Sequence, residues 1–566
     1  MPMMIRVDRQ KLEVEENATL TTVLAKNNLT VPDLKYQLAN GQVIHTDLAE
    51  LVAQKLVKRV TEIKIQDRLM INLNSGLARQ HRFAALRLIK ADYQQFGNKN
   101  NPNLASDFQK QLNSFLVHDL MIDTTKKGSG LHLMGQAAEL DANPCIGCNK
   151  CVEACARMGI NYLSLSEEGT KHATSSQDPR IDCIYCGQCT ANCPVKAVRE
   201  QSQVTEIEQI LADKDLITIV QMAPSVRVSI GEEFGAEIGT NLEKQLFTAF
   251  RKLGFQHIFD VNMGADITTM VEAEELLERL KNKGTLPMFS SCCPAWVKFV
   301  EFYYPEMIPH LTEARSPQIH AGIAYKTWWA EKNQVDPKKI RVISVMPCTS
   351  KQYEAHLEEL KIDGWQPVDC TLTTREIAYL IKKNKIDLLQ LPDGELDEIG
   401  EYSGAAAIYG ASGGVTESAL RTVSYMLEGK DVSERLEFKQ VRGMAGIKEA
   451  KIVITGRVLK VAVATLAVNM HKLIKKVKED PLAYDYIEFM ACPGGCIGGG
   501  GQPLPANDEK TAKRIEGLYD IDSKKKLHFA HHNQVVAQFL DYVKQQSLTR
   551  QRQLLYRKFE PKKKGA

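Results

Sequence analysis

The sequence predicts a multi-domain chain of α/β and α+β class, its larger part a two-lobed α/β unit built on parallel sheets. From about residue 208 onward, β-like runs such as LITIVQMAP and QHIFDVN alternate with helical segments, as in parallel sheets covered by crossover helices. Residues 1–72 instead alternate apolar and polar positions in MIRVDRQKLEVEE and VTEIKIQDRLMINLN, with the helical TLTTVLAKNNL between, and read as strands around a helix. At roughly 100–200 residues per domain, 566 residues imply three to five units.

Four units follow in order: 1–72, a small strand-rich domain; 73–137, a helical segment and linker; 138–205, a cysteine-rich domain; and 206–566, the two-lobed domain with a helical end from HFAHHNQVVAQFLDYV onward. TKKGSGLHLMGQAAE, near 126–140, is glycine-containing and weakly periodic and reads as linker. The formal charge of +3 is nearly balanced, and Lys and Arg form no stripe interleaved with aromatics, so a nucleic-acid partner has no footprint. The basic end KFEPKKKGA reads as a solvated tail. MPMMIRVDRQ has no apolar core of a leader, and no stretch reaches the roughly 18 apolar residues of a membrane span. A soluble cytoplasmic protein without membrane contact is expected, where cysteines serve as metal or redox thiolates rather than disulfides.

Of fourteen cysteines, eight form two CxxCxxCxxxC runs: Cys145, Cys148, Cys151, Cys155, then Cys183, Cys186, Cys189, Cys193 followed by Pro194. This resembles the bacterial two-cluster ferredoxin pattern, in which the fourth cysteine of one run ligates the other 4Fe-4S cluster. The resemblance implies one cluster on Cys145, Cys148, Cys151 and Cys193 and another on Cys183, Cys186, Cys189 and Cys155. Ala156 after Cys155, where proline is usual, removes no ligand. Zinc knuckles are the alternative, but zinc favours two CxxC pairs over four cysteines in one run. Adjacent clusters with no substrate pocket of their own read as a wire.

Three downstream motifs offer its terminus: FSSCCPAW with Cys292 and Cys293, MPCTSKQYE with Cys348, and EFMACPGGCIGGGGQP with Cys492 and Cys496. RVISV leads into Cys348 and YIEF towards Cys492, placing both thiols just beyond strand ends, where open α/β sheets bind ligands. The run Gly498–Gly501 reads as backbone stripped of Cβ atoms so that a bulky cofactor can approach. From about residue 140 to the C-terminus these motifs resemble the iron-only (FeFe) hydrogenases of group A type. Ser290 stands where the family usually has threonine, without affecting a ligand.

The resemblance implies an H-cluster: a 4Fe-4S cubane thiolate-linked to a two-iron unit carrying CO, cyanide and a dithiolate amine bridge. Cys293, Cys348, Cys492 and Cys496 match the cubane ligands, with Cys496 shared with the two-iron unit. Cys292, left over, matches a proton-shuttling thiol. Lys351 matches a cyanide donor, Met346 and Met490 match thioether walls, and Ser225 and Gln318 match other lining positions. Glu272 and Glu275 are three apart on one helix face, and with Thr312, in place of a family serine, they match a proton relay. Without the resemblance these glutamates read as an acidic solvated helix, since Glu274 and Glu278 adjoin them. Cys370 reads as core packing, and His531 and His532 show no ligand spacing and receive no role.

Larger relatives begin with a β-grasp 2Fe-2S domain and a His/Cys cubane segment, and residues 1–137 are similar in layout. Residues 1–144 hold no cysteine, however; DLKYQLANGQVI and ADYQQFGNKNNPN stand where the cluster-binding stretches would. Packing retained after ligand loss and a docking surface for a redox partner both fit, and electrons are expected to enter directly through the two-cluster relay. The expected activity is reversible reduction of protons to H2 with a ferredoxin-like donor, after assembly by hydrogenase maturation proteins. Alternatives are the catalytic subunit of an NAD(P)-linked electron-bifurcating hydrogenase and a non-catalytic iron–sulfur relay or assembly protein. An H2 sensor fits less well, since such a protein is expected to replace Cys292 and append a sensory domain.

Overall fold

A run of aliphatic residues with no polar alternation belongs inside a sheet covered on both faces. Ile217–Met222 and Ile340–Met346 are such runs, each buried at all but one position. In the computed structural model they form the centre of a four-stranded, wholly parallel sheet, flanked by His257–Asp260 and Cys370–Thr373. The structure describes residues 131–134, 136–141, 149–165, 173–193, 196–431, 438–504 and 506–565, with short strands at 3–7, 10–14, 35–37, 43–45 and 70–71.

The second lobe carries a four-stranded sheet in the order Met288–Phe289, Tyr486–Met490, Arg457–Thr465, Ile447–Ile454. Its first three strands are parallel, but Ile447–Ile454 and Arg457–Thr465 pair antiparallel. Thr455 (φ 50°) and Gly456 (φ 77°) both take the left-handed conformation that a two-residue hairpin turn requires, which explains this departure from an all-parallel lobe. The edge strand accordingly alternates buried and exposed residues.

Val261–Asn282, a 22-residue helix capped by the Asp260 carboxylate, packs against Pro317–Ala324 and Gly414–Glu428. The approach is close at Gly264, where a Cβ would lie 2.1 Å from the Pro317 carbonyl oxygen. Cys370 is fully buried in the core of the first lobe, as expected.

Two expectations are corrected. Residues 131–141, read as linker, form the hairpin Leu131–Met134 and Ala138–Asp141, which takes Val198–Glu200 as a third antiparallel strand. Strands of four residues are too short for their alternation to stand out from a loop. This sheet accompanies the helices Lys150–Met158 and Gln188–Asn192. Each starts from a left-handed residue, Asn149 (φ 67°) and Gly187 (φ 68°).

The basic C-terminus is not a solvated tail. Its Lys564 ammonium donates to the Ser176 and Asp178 carbonyls at 2.7 Å, Gly565 N–H donates to Asp182 Oδ2, and Lys562 N–H to the Glu301 carbonyl. The tail straps the cysteine-rich domain to the second lobe. Just before it, backbone bonds from Arg315 N–H to the Leu555 carbonyl and from Arg557 N–H to the Glu313 carbonyl bind the C-terminal helices beside Thr312.

Among the described N-terminal residues, Met3–Val7 and Gln10–Val14 pair antiparallel, with Met70–Ile71 parallel to the first, in keeping with strands around residues 1–72. The helix expected at TLTTVLAKNNL, and the two substituted cluster stretches apart from the antiparallel strands Lys35–Gln37 and Val43–His45, lie outside the described residues.

Candidate active site

Cys348 lies two residues beyond the strand Ile340–Met346 of the first lobe, and Cys492 two beyond Tyr486–Met490 of the second. Cys293 caps the helix Pro294–Tyr303, and Cys496 opens the turn Cys496–Gly498. All four border one cavity between the lobes. Cys292, Met346, Met490, Lys351, Ser225 and Gln318 border it too, so the sequence-derived set converges on one space. Met490 Sδ lies 4.0 Å from Cys496 Sγ. Ser290, the substituted position, accepts from Phe489 N–H through its hydroxyl, tying the Cys293 loop to the neighbouring strand.

Burial pushes the Cys348 thiol up to about 11, with Cys293 adding to the rise and Lys351 opposing it. The Cys492 thiol is raised by burial and then by Cys348, Cys186, Cys293 and Cys496. Thiols so crowded and dry favour a metal that takes them as thiolates. Two buried polar atoms on the cavity wall, Ser225 Oγ and Gln318 Oε1, have no hydrogen-bond partner. Such orphans are rare, and a polar occupant would satisfy them. The residues therefore fit a cubane with a polar metal unit beside it.

Lys351 donates to the Cys292 carbonyl at 3.0 Å and to Glu354 Oε2 at 2.8 Å. Burial alone would lower its ammonium, but Glu354, Cys292 and Cys348 outweigh that and raise it. Glu354, not singled out from the sequence, also accepts from Ser316 Oγ and Gln318 Nε2, both at 2.8 Å, and fixes Lys351 and Gln318 together. The signal was available: Lys351 and Glu354 are three apart, on one helix face.

Glu272 is 1% exposed, which removes the solvated-helix alternative for it. Burial pushes its carboxyl up to about 8; the Tyr486 hydroxyl, donating at 2.9 Å, opposes this, while Glu275 and Glu488 reinforce it. Its second oxygen, Oε2, is buried and unpartnered. Glu275 accepts from Thr312 Oγ1 at 2.6 Å and pairs with Arg279 at 2.5 Å. Thr312 thus reaches Glu275 through its hydroxyl, while the hydrogen bond of Glu272 runs to Tyr486. The Cys292 thiol is raised first by burial and next by Glu272, which places these two groups within electrostatic reach.

In the cysteine-rich domain, Cys189 is raised by burial and then by Cys183, Cys186, Cys151 and Cys155, so thiols of both runs lie within its electrostatic reach. Cys151 and Cys193 share a small core; Cys145 and Cys148 lie outside the described residues. Backbone N–H groups of Tyr162 and Tyr185 donate to the sulfurs of Cys155 and Cys183 at 3.2 and 3.4 Å. Bonds of this kind tune cluster potentials.

The glycine run is used differently from expectation. Gly499 borders the cavity, but a Cβ on Gly500 would lie 2.5 Å from Gly187 and 2.6 Å from the Cys186 carbonyl oxygen. Gln188 Nε2 donates to the Gly498 carbonyl and Thr190 Oγ1 to the Gly500 carbonyl. The run therefore seats the second cysteine loop against the catalytic lobes, and Cys186 accordingly feels Cys348.

A two-lobed α/β fold whose interlobe thiols adjoin a second thiol cluster defines an iron–sulfur oxidoreductase. Comparison narrows the class. The family described as "Iron only hydrogenase large subunit, C-terminal domain" matches residues 216–500, and "4Fe-4S dicluster domain" matches 144–197. Iron hydrogenase 1 of Clostridium pasteurianum is 41% identical over 69% of this chain and 70% of that protein. The NADP-reducing hydrogenase subunit HndD of Solidesulfovibrio fructosivorans is 32% identical over 95% of both. A FeFe-hydrogenase structure from Chlamydomonas reinhardtii, 35% identical, superposes with a TM-score of 0.57 over 64% of this chain and 99% of that one. The chain belongs to the iron-only hydrogenase family, whose cofactors are 4Fe-4S clusters and the H-cluster. It is an oxidoreductase acting on hydrogen, and among its described residues no helix is long and apolar enough to cross a membrane.

Proposed function

We propose that this chain catalyses 2H+ + 2e− ⇌ H2 in the cytoplasm, taking electrons from a ferredoxin-like carrier through a relay domain spanning 138–205. The observation that carries the reading is the interlobe cavity, where five thiols, a charged lysine and two unpartnered polar atoms face one space. In this reading Cys293, Cys348, Cys492 and Cys496 hold the H-cluster cubane. Lys351, Ser225, Gln318, Met346 and Met490 hold and wall the two-iron unit, which when bound supplies the centre where the H–H bond is made or broken. Cys145, Cys148, Cys151 and Cys193 would hold one relay cluster, and Cys183, Cys186, Cys189 and Cys155 the other.

Protons would pass from Glu275 through Thr312 to Glu272 and on to Cys292. A Glu272 carboxyl with its pKa near 8 is matched to donating and accepting near neutral pH. The Arg279 ion pair holds Glu275 at the partly exposed end of this row. Residues 1–72 would be a cluster-less β-grasp relic and 73–137 a remnant of the His/Cys segment, with the helical end resembling a separate small subunit of relatives. Hydrogenase maturation proteins would be obligate partners.

A second reading, the catalytic subunit of an NAD(P)-linked complex, is favoured by the 95% mutual coverage with the NADP-reducing hydrogenase subunit. Co-purifying flavin subunits and H2-dependent NADP reduction by the purified complex would support it over a ferredoxin donor. The primary test is the infrared spectrum of anaerobically matured protein in the region of metal-bound CO and cyanide stretches. Bands there, with H2 evolution from a reduced carrier, are expected. Their absence in protein loaded with all its cubanes would favour a non-catalytic relay.

A further inference from the structure

Asp431, His531 and His532 lie outside the catalytic cavity, yet one oxygen or ring nitrogen from each falls within 4.8 Å of the others. Asp431 Oδ1 is 3.0 Å from His531 Nε2 and 2.7 Å from His532 Nε2. Neighbouring side chains usually diverge, but here the tight turn Ala530–His532 swings both rings to one side, their centroids 4.5 Å apart. This convergence is not visible in the sequence, where the two histidines show no ligand spacing and receive no role.

The site is held from behind. The His531 ring stacks on Tyr425 at 4.0 Å and on Phe529 at 5.2 Å, both nearly parallel, and its side chain is 1% exposed. Its other nitrogen faces Thr422 Oγ1 at 3.4 Å, the place where metal-ligating imidazoles are commonly oriented by a polar partner. His532 and Asp431 are 42% and 46% exposed, which leaves an open approach from solvent.

We propose that Asp431, His531 and His532 bind one divalent transition-metal ion of the zinc class, which staples the C-terminal segment to the catalytic domain. Two imidazoles and a carboxylate suit zinc and leave a fourth position for water. The staple spans a hundred residues of sequence. Asp431 closely follows Gly414–Glu428, the helix packed on Val261–Asn282, and the histidine pair precedes Gln534–Lys544. Asn533, adjoining the pair, donates to Asp266 on the same long helix, so the metal would lock a junction already joined by a hydrogen bond.

The test uses untagged protein with its iron–sulfur clusters in place, so that cysteine sites are filled, and Zn2+ alone as the probe. Calorimetric titration is expected to show one Zn2+ per chain, bound at least about tenfold more weakly by His532→Ala and Asp431→Asn. Both positions are exposed, so these variants leave the stacking of His531 on Tyr425 and Phe529 in place. Zinc-edge X-ray absorption is expected to show only nitrogen and oxygen neighbours. Sulfur in that shell, no stoichiometric binding, or unchanged affinity in both variants would overturn the proposal.

Discussion

Substituting Gly500→Ala tests whether the glycine run is a seat for the electron relay. The new Cβ would sit 2.5 Å from Gly187, short of ordinary contact at 3.4 Å by about 0.9 Å, and the atoms it meets are backbone. They cannot rotate aside, so the Cys186–Gly187 loop must withdraw by most of that distance, at a cost of about 1–3 kcal/mol. The bond from Thr190 Oγ1 to the Gly500 carbonyl, 3.0 Å long, is stretched with it and forfeits up to about 1 kcal/mol. Gly500 does not border the cavity, so the chemistry there is left in place. Two assays separate the effects. Reduction of the relay clusters by H2, followed by stopped-flow bleaching, requires electrons to cross from the cavity to the Cys186 loop and is expected to slow. H/D exchange from D2 needs no such crossing and is expected to match the parent chain. Unchanged relay reduction, or a parallel fall in both rates, would refute the argument.

Glu272→Gln is expected to lower turnover by at least about a hundredfold while leaving the metal-bound CO and cyanide bands in place. Because the folded Glu272 carboxyl titrates near 8 against 4.5 for the ordinary group, its stabilising effect is complete below 4.5 and lost as pH rises to 8. The parent unfolding midpoint should therefore fall more steeply from pH 6 to 8 than that of Glu272→Gln, and parallel curves would contradict the assigned burial cost. Cys292→Ala should nearly abolish turnover with the cofactor still bound, and near-normal rates would remove its shuttle role. Glu354→Gln leaves the buried Lys351 charge uncompensated, a loss of about 3–5 kcal/mol for a broken buried pair; reduced retention of the two-iron unit, read by infrared intensity, is the expected result. Removing residues 562–566 deletes the Lys564 bonds to Ser176 and Asp178 and should speed proteolysis in 173–182 without changing H/D exchange.

The cysteine motifs were legible because cluster chemistry demands fixed spacings, and the strand-end placement of Cys348 and Cys492 followed from the aliphatic runs before them. What stayed hidden depended on partners far along the chain. The tail KFEPKKKGA reads as solvated because its lysines suggest water, yet Lys564 is held by two backbone carbonyls, which no side-chain pattern announces. His531 and His532 lack ligand spacing in sequence because their third partner, Asp431, lies a hundred residues away. Glu272 and Glu274 are indistinguishable by composition; one is buried beside Tyr486 and the other exposed, a difference set by helix phase against the second sheet.

The glycine run shows how one local feature can serve two ends of the same reaction. Read alone, Gly498–Gly501 offers only backbone without Cβ atoms, and the cofactor was the obvious beneficiary. In the fold, Gly499 lies against the Pro347 carbonyl at the cavity wall while Gly500, one residue on, receives the Cys186 loop. Pro347 precedes Cys348, so the same two glycines fix the spacing between a cavity thiol and a relay thiol. A side chain at either position would push apart the two thiol clusters whose proximity the proposed electron path requires. The absence of Cβ atoms is therefore a constraint on distance between redox centres as much as on room for a cofactor, and only the second of these is visible before the chain is folded.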